Sequence, residues 1–341
     1  MKSARYLAVL GASAALAVAG SPAFASNGVN SNELQQHGAA MRTEHAAASS
    51  KTALATSIAA EQMTYHGGQV QTAPKVYVVY YGSQWGTTGS TGLPTTDPSG
   101  VAPLYTKFIS SLYGAGDNWS TSTTQYCSGV AVGSTTCGTG GTHVGHPASS
   151  PLAGTWVDNG VRSPSRASQS QLTAEAQRAA THFGVSGSNV QIVVASPHGV
   201  TPSGFGTQYC AWHTDTTVNG QPITFTNLPY IPDAGASCGS GYVATGTSGV
   251  NSATEGVTIV GGHEYAETVT DPLPNTLEAW RDDADSTTGG ENGDKCAWSY
   301  GTSGIVALNG SNFAVQSLYS NDKNNNTGGC SIFYNSSTNQ G

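Results

Sequence analysis

The segment at residues 253–270 restricts the fold more than any other part of this 341-residue chain. Its middle, residues 257–262, contains only valine, isoleucine, threonine and glycine, and His263, Glu264 and Glu267 follow. Pro272 comes soon after, and proline ends a helix because it lacks the backbone donor. We therefore predict a buried helix over residues 253–270. Buried charges are costly without partners or a metal, so the segment indicates a site.

Helical geometry gives these side chains a common direction. Residues four apart share a face, so His263 and Glu267 project together with Asp271, and Glu264 lies about 100° around the helix. This is the arrangement of the HExxH zinc hydrolases, in which two histidines bind zinc and the glutamate is the general base. Glu267 stands where those enzymes have the second histidine. A carboxylate still binds zinc, and it also admits calcium.

A third metal ligand is expected from the acidic, glycine-rich loop beyond the helix. Glu291 is the first choice, because a distant glutamate completes the site in one large group of zinc peptidases, and Asp294 and Asp271 are the alternatives. Asp271 has two other possible roles: it caps the helix, or it binds a second ion with neighbouring acids. Those acids are Asp282, Asp283 and Asp285.

Charge is scarce outside this region. Only 9% of residues are charged, the formal net charge is −8 and the pI is near 5.5, against about 25% charged residues in an average domain. The twelve lysines and arginines are scattered, so no basic stripe is present to bind nucleic acid.

The first 25 residues have the pattern of a secretory signal peptide. Lys2 and Arg5 precede an apolar stretch at residues 6–20, and Ala23-Phe24-Ala25 is a small-x-small cleavage site. The apolar stretch is too short to span a bilayer, and no later segment is long enough. We therefore expect an exported, extracellular protein without a transmembrane segment.

Six cysteines in an exported chain indicate three disulfides. Sequential pairing closes the shortest loops, which favours Cys127–Cys137, Cys210–Cys238 and Cys296–Cys330. No CxxC pair is present, which argues against a structural zinc site made of cysteines.

The chain divides into a lead segment and a folded domain. Residues 26–70 are rich in Ala, Ser and Gln, and we interpret them as mobile or weakly helical, either a propeptide or a dispensable tail. Residues 71–341 mix helical and strand periodicities, which predicts a single α+β domain with a mixed sheet around the buried helix. The predicted helices are 101–113, 171–183 and 253–270. The predicted strands are 76–81, 191–195, 209–213, 223–228, 296–300, 305–308 and 313–319.

His213 is a second catalytic candidate. It lies beside Cys210 on a predicted strand, where it would stabilise an oxyanion at the metal site or make a local hydrogen bond. Residues 235–239 match the G-x-S-x-G elbow of serine hydrolases, but that elbow must join a strand to a helix. We interpret the match as a turn.

Several linked motifs resemble the EXORDIUM / phosphate-induced protein 1 family and its secreted bacterial relatives. They are HEYAETVTDP at 263–272, AW at 279–280 and ENGDKCAW at 291–298, with YCAWH at 209–213 and PYIPDAG at 229–235. The resemblance spans roughly residues 74–335. Plant members of this family are extracellular and are associated with growth signalling, and the motif looks like a zincin active-site helix.

The resemblance implies a secreted, zincin-like metallopeptidase that acts on a protein or peptide substrate. His263, Glu267 and either Glu291 or Asp294 would hold zinc, or alternatively calcium, and Glu264 would be the base. The rival hypothesis is a non-catalytic extracellular protein with a structural calcium or zinc site. In that protein the six tryptophans and fifteen tyrosines would bind a cell-wall glycan.

Overall fold

The structure, a computed structural model, describes residues 40–42, 61–244, 246–285 and 289–334. The signal peptide and most of the lead segment lie outside the described residues. What is described has a six-stranded sheet, three long helices and several two-stranded ribbons. The mixed αβ class that the sequence predicts is confirmed.

The six-stranded sheet is mixed in direction. Its strands are β1 (Ala40–Arg42), β3 (Lys75–Tyr81), β6 (Leu152–Asp158), β7 (Val190–Ala195), β8 (Tyr209–Val218) and β9 (Gln221–Leu228). Their order is β1-β8-β9-β7-β3-β6. The four strands β6, β3, β7 and β9 run parallel, whereas β8 is antiparallel to β9 and β1 is antiparallel to β8. The central strand β7 is buried at every position, as expected for a parallel strand covered on both faces.

Three helices accompany the sheet: α1 (Val101–Ser110), α2 (Gln169–Phe183) and α3 (Gly256–Thr270). The helix α2 begins with a capping box formed by Ser168 and Gln171 and ends at Gly184 in the left-handed conformation. The helix α3 is buried at all fifteen positions. It packs against β8 on one side and α1 on the other, so the predicted buried helix lies in the centre of the fold.

Glycines allow α1 to approach α3 closely. A Cβ atom on Gly261 would lie 2.4 Å from the Tyr105 ring, and one on Gly262 would lie 2.9 Å from Trp119 and 3.1 Å from Phe108. Carbon atoms pack at about 3.5–4.0 Å. The glycine pair that precedes His263 is therefore required by helix packing.

The folded part extends further toward the N-terminus than the sequence predicts. Residues 61–70 pack into the core, where Met63 is fully buried, and β2 (Thr64–Tyr65) pairs with β10 (Trp280–Arg281). Within the lead segment, β1 joins the main sheet as a strand rather than a helix. The alanine-rich sequence does not predict this strand, because β1 forms through pairing with β8, which lies far along the chain.

The remaining strands form short antiparallel ribbons. They are β4 (Cys127–Ser128), β5 (Thr142–His143), β11 (Ile305–Leu308), β12 (Ser311–Ala314), β13 (Leu318–Ser320) and β14 (Gly329–Ser331), and a short helix, α4 (Lys323–Asn326), precedes β14. The predicted strand at 296–300 is wrong: a 3-10 turn, Asp294–Cys296, occupies its start. The predicted strand at 313–319 is split between β12 and β13.

Three disulfides join the pairs expected from the sequence, Cys127–Cys137, Cys210–Cys238 and Cys296–Cys330. Bridges of this kind persist in oxidising compartments, which fits an exported chain. Within the described residues, no helix combines the length and the apolar character needed to cross a membrane.

Candidate metal centre

The second half of α3 carries the candidate site. Its helical spacing presents His263 and Glu267 on one face with Glu264 beside them, and all three side chains are fully buried. His263 Nε2 lies 2.9 Å from Glu267 Oε1. Even so, Nε2 makes no hydrogen bond. Two donor atoms that approach without bonding each other are arranged as metal ligands are.

Gln316 determines which nitrogen of His263 faces this point. The amide Nε2 of Gln316 donates to the Gly293 carbonyl at 2.7 Å, which leaves its Oε1 to accept from His263 Nδ1 at 3.2 Å. In the neutral ring, the proton is therefore on Nδ1 and the lone pair is on Nε2. The second ring nitrogen of a metal-bound histidine usually donates to an outer acceptor, which fixes the tautomer as Gln316 does here.

His213 shows the same pattern from the opposite side of the site. It projects from β8 and is fully buried. Its Nε2 lies 3.2 Å from the Asp271 backbone carbonyl, which can only accept, so that nitrogen is the donor. Its Nδ1 has no hydrogen-bond partner and lies 3.5 Å from both Glu264 Oε2 and Glu267 Oε2. The structure thus brings His213 into the predicted site, with a bare nitrogen directed at carboxylates.

The loop after α3 contributes two more carboxylates, and both reach the site. Glu291 Oε1 lies 3.6 Å from His213 Nε2, and Asp294 Oδ1 lies 3.6 Å from His263 Nε2. The alternatives left open by the sequence, Glu291 or Asp294, are therefore both present. Their side chains are only 2% exposed.

Backbone contacts hold this loop against the helix. The Asp294 amide donates to Glu267 Oε1 at 2.9 Å, and the Asn292 side chain donates to the Ala266 carbonyl at 3.2 Å. Only glycine fits at position 293, because a Cβ there would lie 2.8 Å from Glu267 Oε1 and 2.8 Å from His263 Nδ1. The Cys296–Cys330 bridge fixes the chain just beyond. Sequence reasoning identified neither Asn292 nor Gln316 as a supporting residue, because an isolated amide has no distinctive pattern.

The buried charges of the site perturb one another strongly. Burial disfavours the charged imidazolium, yet Glu291, Glu264 and Glu267 hold the pKa of His213 well above its usual value. The pKa of His263 is raised in the same way, chiefly by Glu267. Without a cation, a proton would occupy each site-facing nitrogen, so the cluster attracts either protons or a metal ion.

The carboxylates respond in opposite directions. Burial raises the pKa of Glu264, and it raises the pKa values of Glu291 and Asp294 well above the usual range. Burial also opposes ionisation of Glu267, but the charges on His263 and His213 hold its pKa below the ordinary value. Glu267 is therefore the most readily ionised acid of the site, and it lies between the two histidines.

Two buried ligand sets can be drawn from these residues. One is His263, Glu267 and Asp294, and the other is His213, Glu267 and Glu291, each with its donor atoms within 4.8 Å of one another. Both sets combine an imidazole nitrogen with carboxylate oxygens. Calcium binds oxygen ligands, whereas imidazole with carboxylate suits zinc and other transition metals. The donor set therefore fits zinc better than calcium.

Asp271 occupies the end of α3 and belongs to neither set. Its Oδ1 accepts the Ala279 amide at 3.0 Å, and burial raises its pKa to about 7. At the helix end it is the backbone amide of Asp271 that donates to the Glu267 carbonyl, at 2.7 Å, while the side chain binds the following loop. Of its suggested partners in a second ion site, Asp282 pairs with Lys295 and Asp283 is 73% exposed.

Other candidates from the sequence do not form a comparable site. The G-x-S-x-G match lies in a 3-10 segment, Ile231–Cys238, and Cys238 is in a disulfide, so it is a turn as predicted. Five of the six tryptophans are buried, and Trp156 stacks on His182. The tryptophans therefore offer little surface to a glycan.

No protein-family model matches the chain, and no curated protein or solved structure is significantly similar to it.

Proposed function

We propose that this protein is a secreted, zincin-like metal-dependent hydrolase that cleaves peptide bonds. The observation that supports the proposal most directly is the bare Nε2 of His263, buried 2.9 Å from Glu267 and 3.6 Å from Asp294. These three residues would hold the ion. A buried nitrogen lone pair facing carboxylate oxygens is unfavourable unless a cation lies between them.

Glu264 is the proposed general base. A bound zinc ion supplies a Lewis acid that polarises a carbonyl group and makes water more acidic. Neither carboxylate oxygen of Glu264 has a hydrogen-bond partner, so both are available to accept a proton. Glu264 would take the proton of the attacking water as the C–O bond forms and return it to the amine as the C–N bond breaks. Burial raises its pKa, which makes the carboxylate a stronger base than a solvent-exposed glutamate.

His213 would assist on the opposite side of Glu264. Its Nδ1 lies 3.5 Å from Glu264 Oε2, so a cation bound at this nitrogen, whether a proton or a metal ion, would hold the glutamate in place and favour its ionised form. For His213 the sequence leaves open oxyanion stabilisation and a local hydrogen bond. Its position between Glu264 and Glu267 favours orientation of these carboxylates instead.

One experiment tests the function. The secreted protein is analysed for bound metal, and cleavage of casein and of peptide libraries is compared for the wild type and Glu264→Gln. Glu264→Gln should retain the metal and lose about 10²–10⁴-fold in cleavage rate. The control is Glu175→Gln, a buried carboxylate outside the site, which should cleave at the wild-type rate. Bound calcium alone, with no cleavage before or after limited proteolysis, would contradict the proposal.

A structural metal site is the second candidate, because burial of the cluster favours it. The six side chains of the site are 0–2% exposed. A structural ion contributes folding energy and needs no access to solvent. If this is its role, chelation should lower the unfolding temperature, while Glu264→Gln should change neither metal content nor any activity of the protein.

A further inference from the structure

We infer that the site holds two metal ions, bridged by the carboxylate of Glu267. The inference rests on the proposed function only for the presence of a metal at His263. What it adds is a second ion, held by His213, Glu267 and Glu291.

The two oxygens of Glu267 are directed at different histidines. Oε1 lies 2.9 Å from His263 Nε2 and Oε2 lies 3.5 Å from His213 Nδ1. Both nitrogens and Oε2 lack hydrogen-bond partners. A carboxylate that presents one oxygen to each of two bare imidazoles has the form of a bridging ligand, as in two-metal hydrolases.

Each histidine is also oriented by a separate outer contact. Gln316 Oε1 faces Nδ1 of His263, and the Asp271 carbonyl faces Nε2 of His213. Such contacts fix the tautomer and aim the remaining nitrogen at a metal. A single ion at His263 would leave the bare Nδ1 of His213 facing carboxylates without a metal to bind.

The charge of the site also favours two ions. Four carboxylates are buried in the site, those of Glu264, Glu267, Glu291 and Asp294. One divalent cation offsets two negative charges, whereas two cations offset four. Since uncompensated buried charge is strongly destabilising, the second ion brings the site close to neutrality.

Metal stoichiometry tests the inference. Zinc chloride is titrated into the full, metal-stripped secreted chain by calorimetry, and the content of dialysed protein is measured by mass spectrometry. We expect two ions per chain in the wild type, one in His213→Ala and one in His263→Ala. The control His182→Ala alters an exposed histidine that stacks on Trp156 and belongs to none of the possible metal-binding groups among the described residues, and it should retain two.

A second measurement uses only the wild type, so its result does not depend on whether the variants fold. The wild type is loaded with manganese(II), and its electron paramagnetic resonance spectrum should show exchange coupling between two bridged ions. One ion per chain, or an uncoupled spectrum, overturns the inference. A single ion with cleavage lost in Glu264→Gln would refute the second site and keep the proposed function. Two ions per chain without any cleavage would support the second site and refute the proposed function.

The pairing of β1 with β8 is a separate observation that does not involve the metal. Ala40 pairs with Trp212 and Met41 pairs with Ala211 in antiparallel register. Opposed residues point to the same face of a sheet, and so do residues two apart on one strand. Met41 therefore lies on the face of β8 that carries His213. It is fully buried, and β1 contacts α3.

This strand occupies the end of the sheet beside the site. In the strand order, β1 is the only neighbour of β8 on that side within the described residues. Pairing of this kind uses main-chain hydrogen bonds, so another extended chain can add to the same edge. We infer that β1 holds the position of an extended polypeptide ligand along β8, and that its displacement opens the site. In terms of the proposed function, that ligand is the substrate.

The test compares Met41→Glu with the conservative Met41→Leu in the full chain. A carboxylate at this buried position should release β1, so hydrogen exchange should rise at least tenfold at residues 209–212 and stay slow in β3 and β7. A fluorescein-labelled peptide of residues 37–46 should then bind Met41→Glu at least tenfold more tightly than the wild type. Unchanged exchange in β8, exchange that rises equally in β7, or equal peptide binding overturns the inference. Neither measurement involves metal or cleavage, so the proposed function can fail while this inference stands.

Discussion

The substitution Gly261→Ala sets two effects on stability against each other. Gly261 lies in the interior of α3, where alanine is favoured over glycine by about 1 kcal/mol through helix propensity. Propensity alone therefore predicts a more stable protein. The packing of α1 on α3 predicts the opposite.

The magnitude follows from the distances at this contact. The new Cβ would lie 2.4 Å from Tyr105 Cε2 and 3.0 Å from Cδ2, so the ring must retreat by about 1 Å to reach ordinary contact. Tyr105 is 2% exposed and has little room to move. Overpacking of a buried site costs about 1–3 kcal/mol. Against the gain in propensity, we expect a net loss of up to about 2 kcal/mol, or several degrees in Tm.

Denaturant unfolding at constant metal concentration measures this loss. Ala174→Gly at an exposed position of α2 calibrates helix propensity in the same protein, and it should cost about 1 kcal/mol. Gly262→Ala should cost less than Gly261→Ala, because its closest contacts are 2.9 Å and 3.1 Å. Zinc affinity should fall with Gly261→Ala, since His263 is two residues away. A Gly261→Ala protein that is about 1 kcal/mol more stable than the wild type would refute the packing argument.

Three further predictions concern charge, covalent links and the metal. Burial raises the pKa of Glu175 to about 8 despite attraction to Arg178. The protonated Glu175 side chain therefore contributes fully to stability below about pH 4.5, and this contribution is lost as the pH rises through 8. Between these pH values, Tm should fall less steeply in Glu175→Gln than in the wild type. Removing the Cys296–Cys330 bridge, which spans 34 residues, should lower the free energy of unfolding by about 3–4 kcal/mol and weaken zinc binding. Removing the Cys127–Cys137 bridge, which spans 10 residues, should cost less and leave zinc affinity unchanged. Denaturant unfolding measures the stability and calorimetry measures the zinc affinity. Chelation should lower Tm and added zinc should restore it in scanning calorimetry, because a ligand bound only by the folded state stabilises that state.

Local features of the site could be predicted from the sequence. Periodicity and Pro272 located α3, and the four-residue spacing placed His263 and Glu267 on one face, because helical geometry depends on neighbours in the chain. The strands β3 and β7 were predicted from short β-branched runs for the same reason. The edge strand β6 was not, since its pattern is half-buried and it contains Gly154.

What the sequence determined by itself is thus the helix, the shared face of His263 and Glu267, and the short-loop disulfides, all of which follow from spacing along the chain. Only the tertiary structure decided that His213 faces Glu264 and Glu267, since the face on which a strand residue lies depends on register with partner strands. It also decided that Glu291 and Asp294 approach different histidines, and that β1 pairs beside them. These contacts join residues far apart in the chain. They form because the sheet, the buried helix and a disulfide-anchored loop must pack together to bury their apolar surfaces.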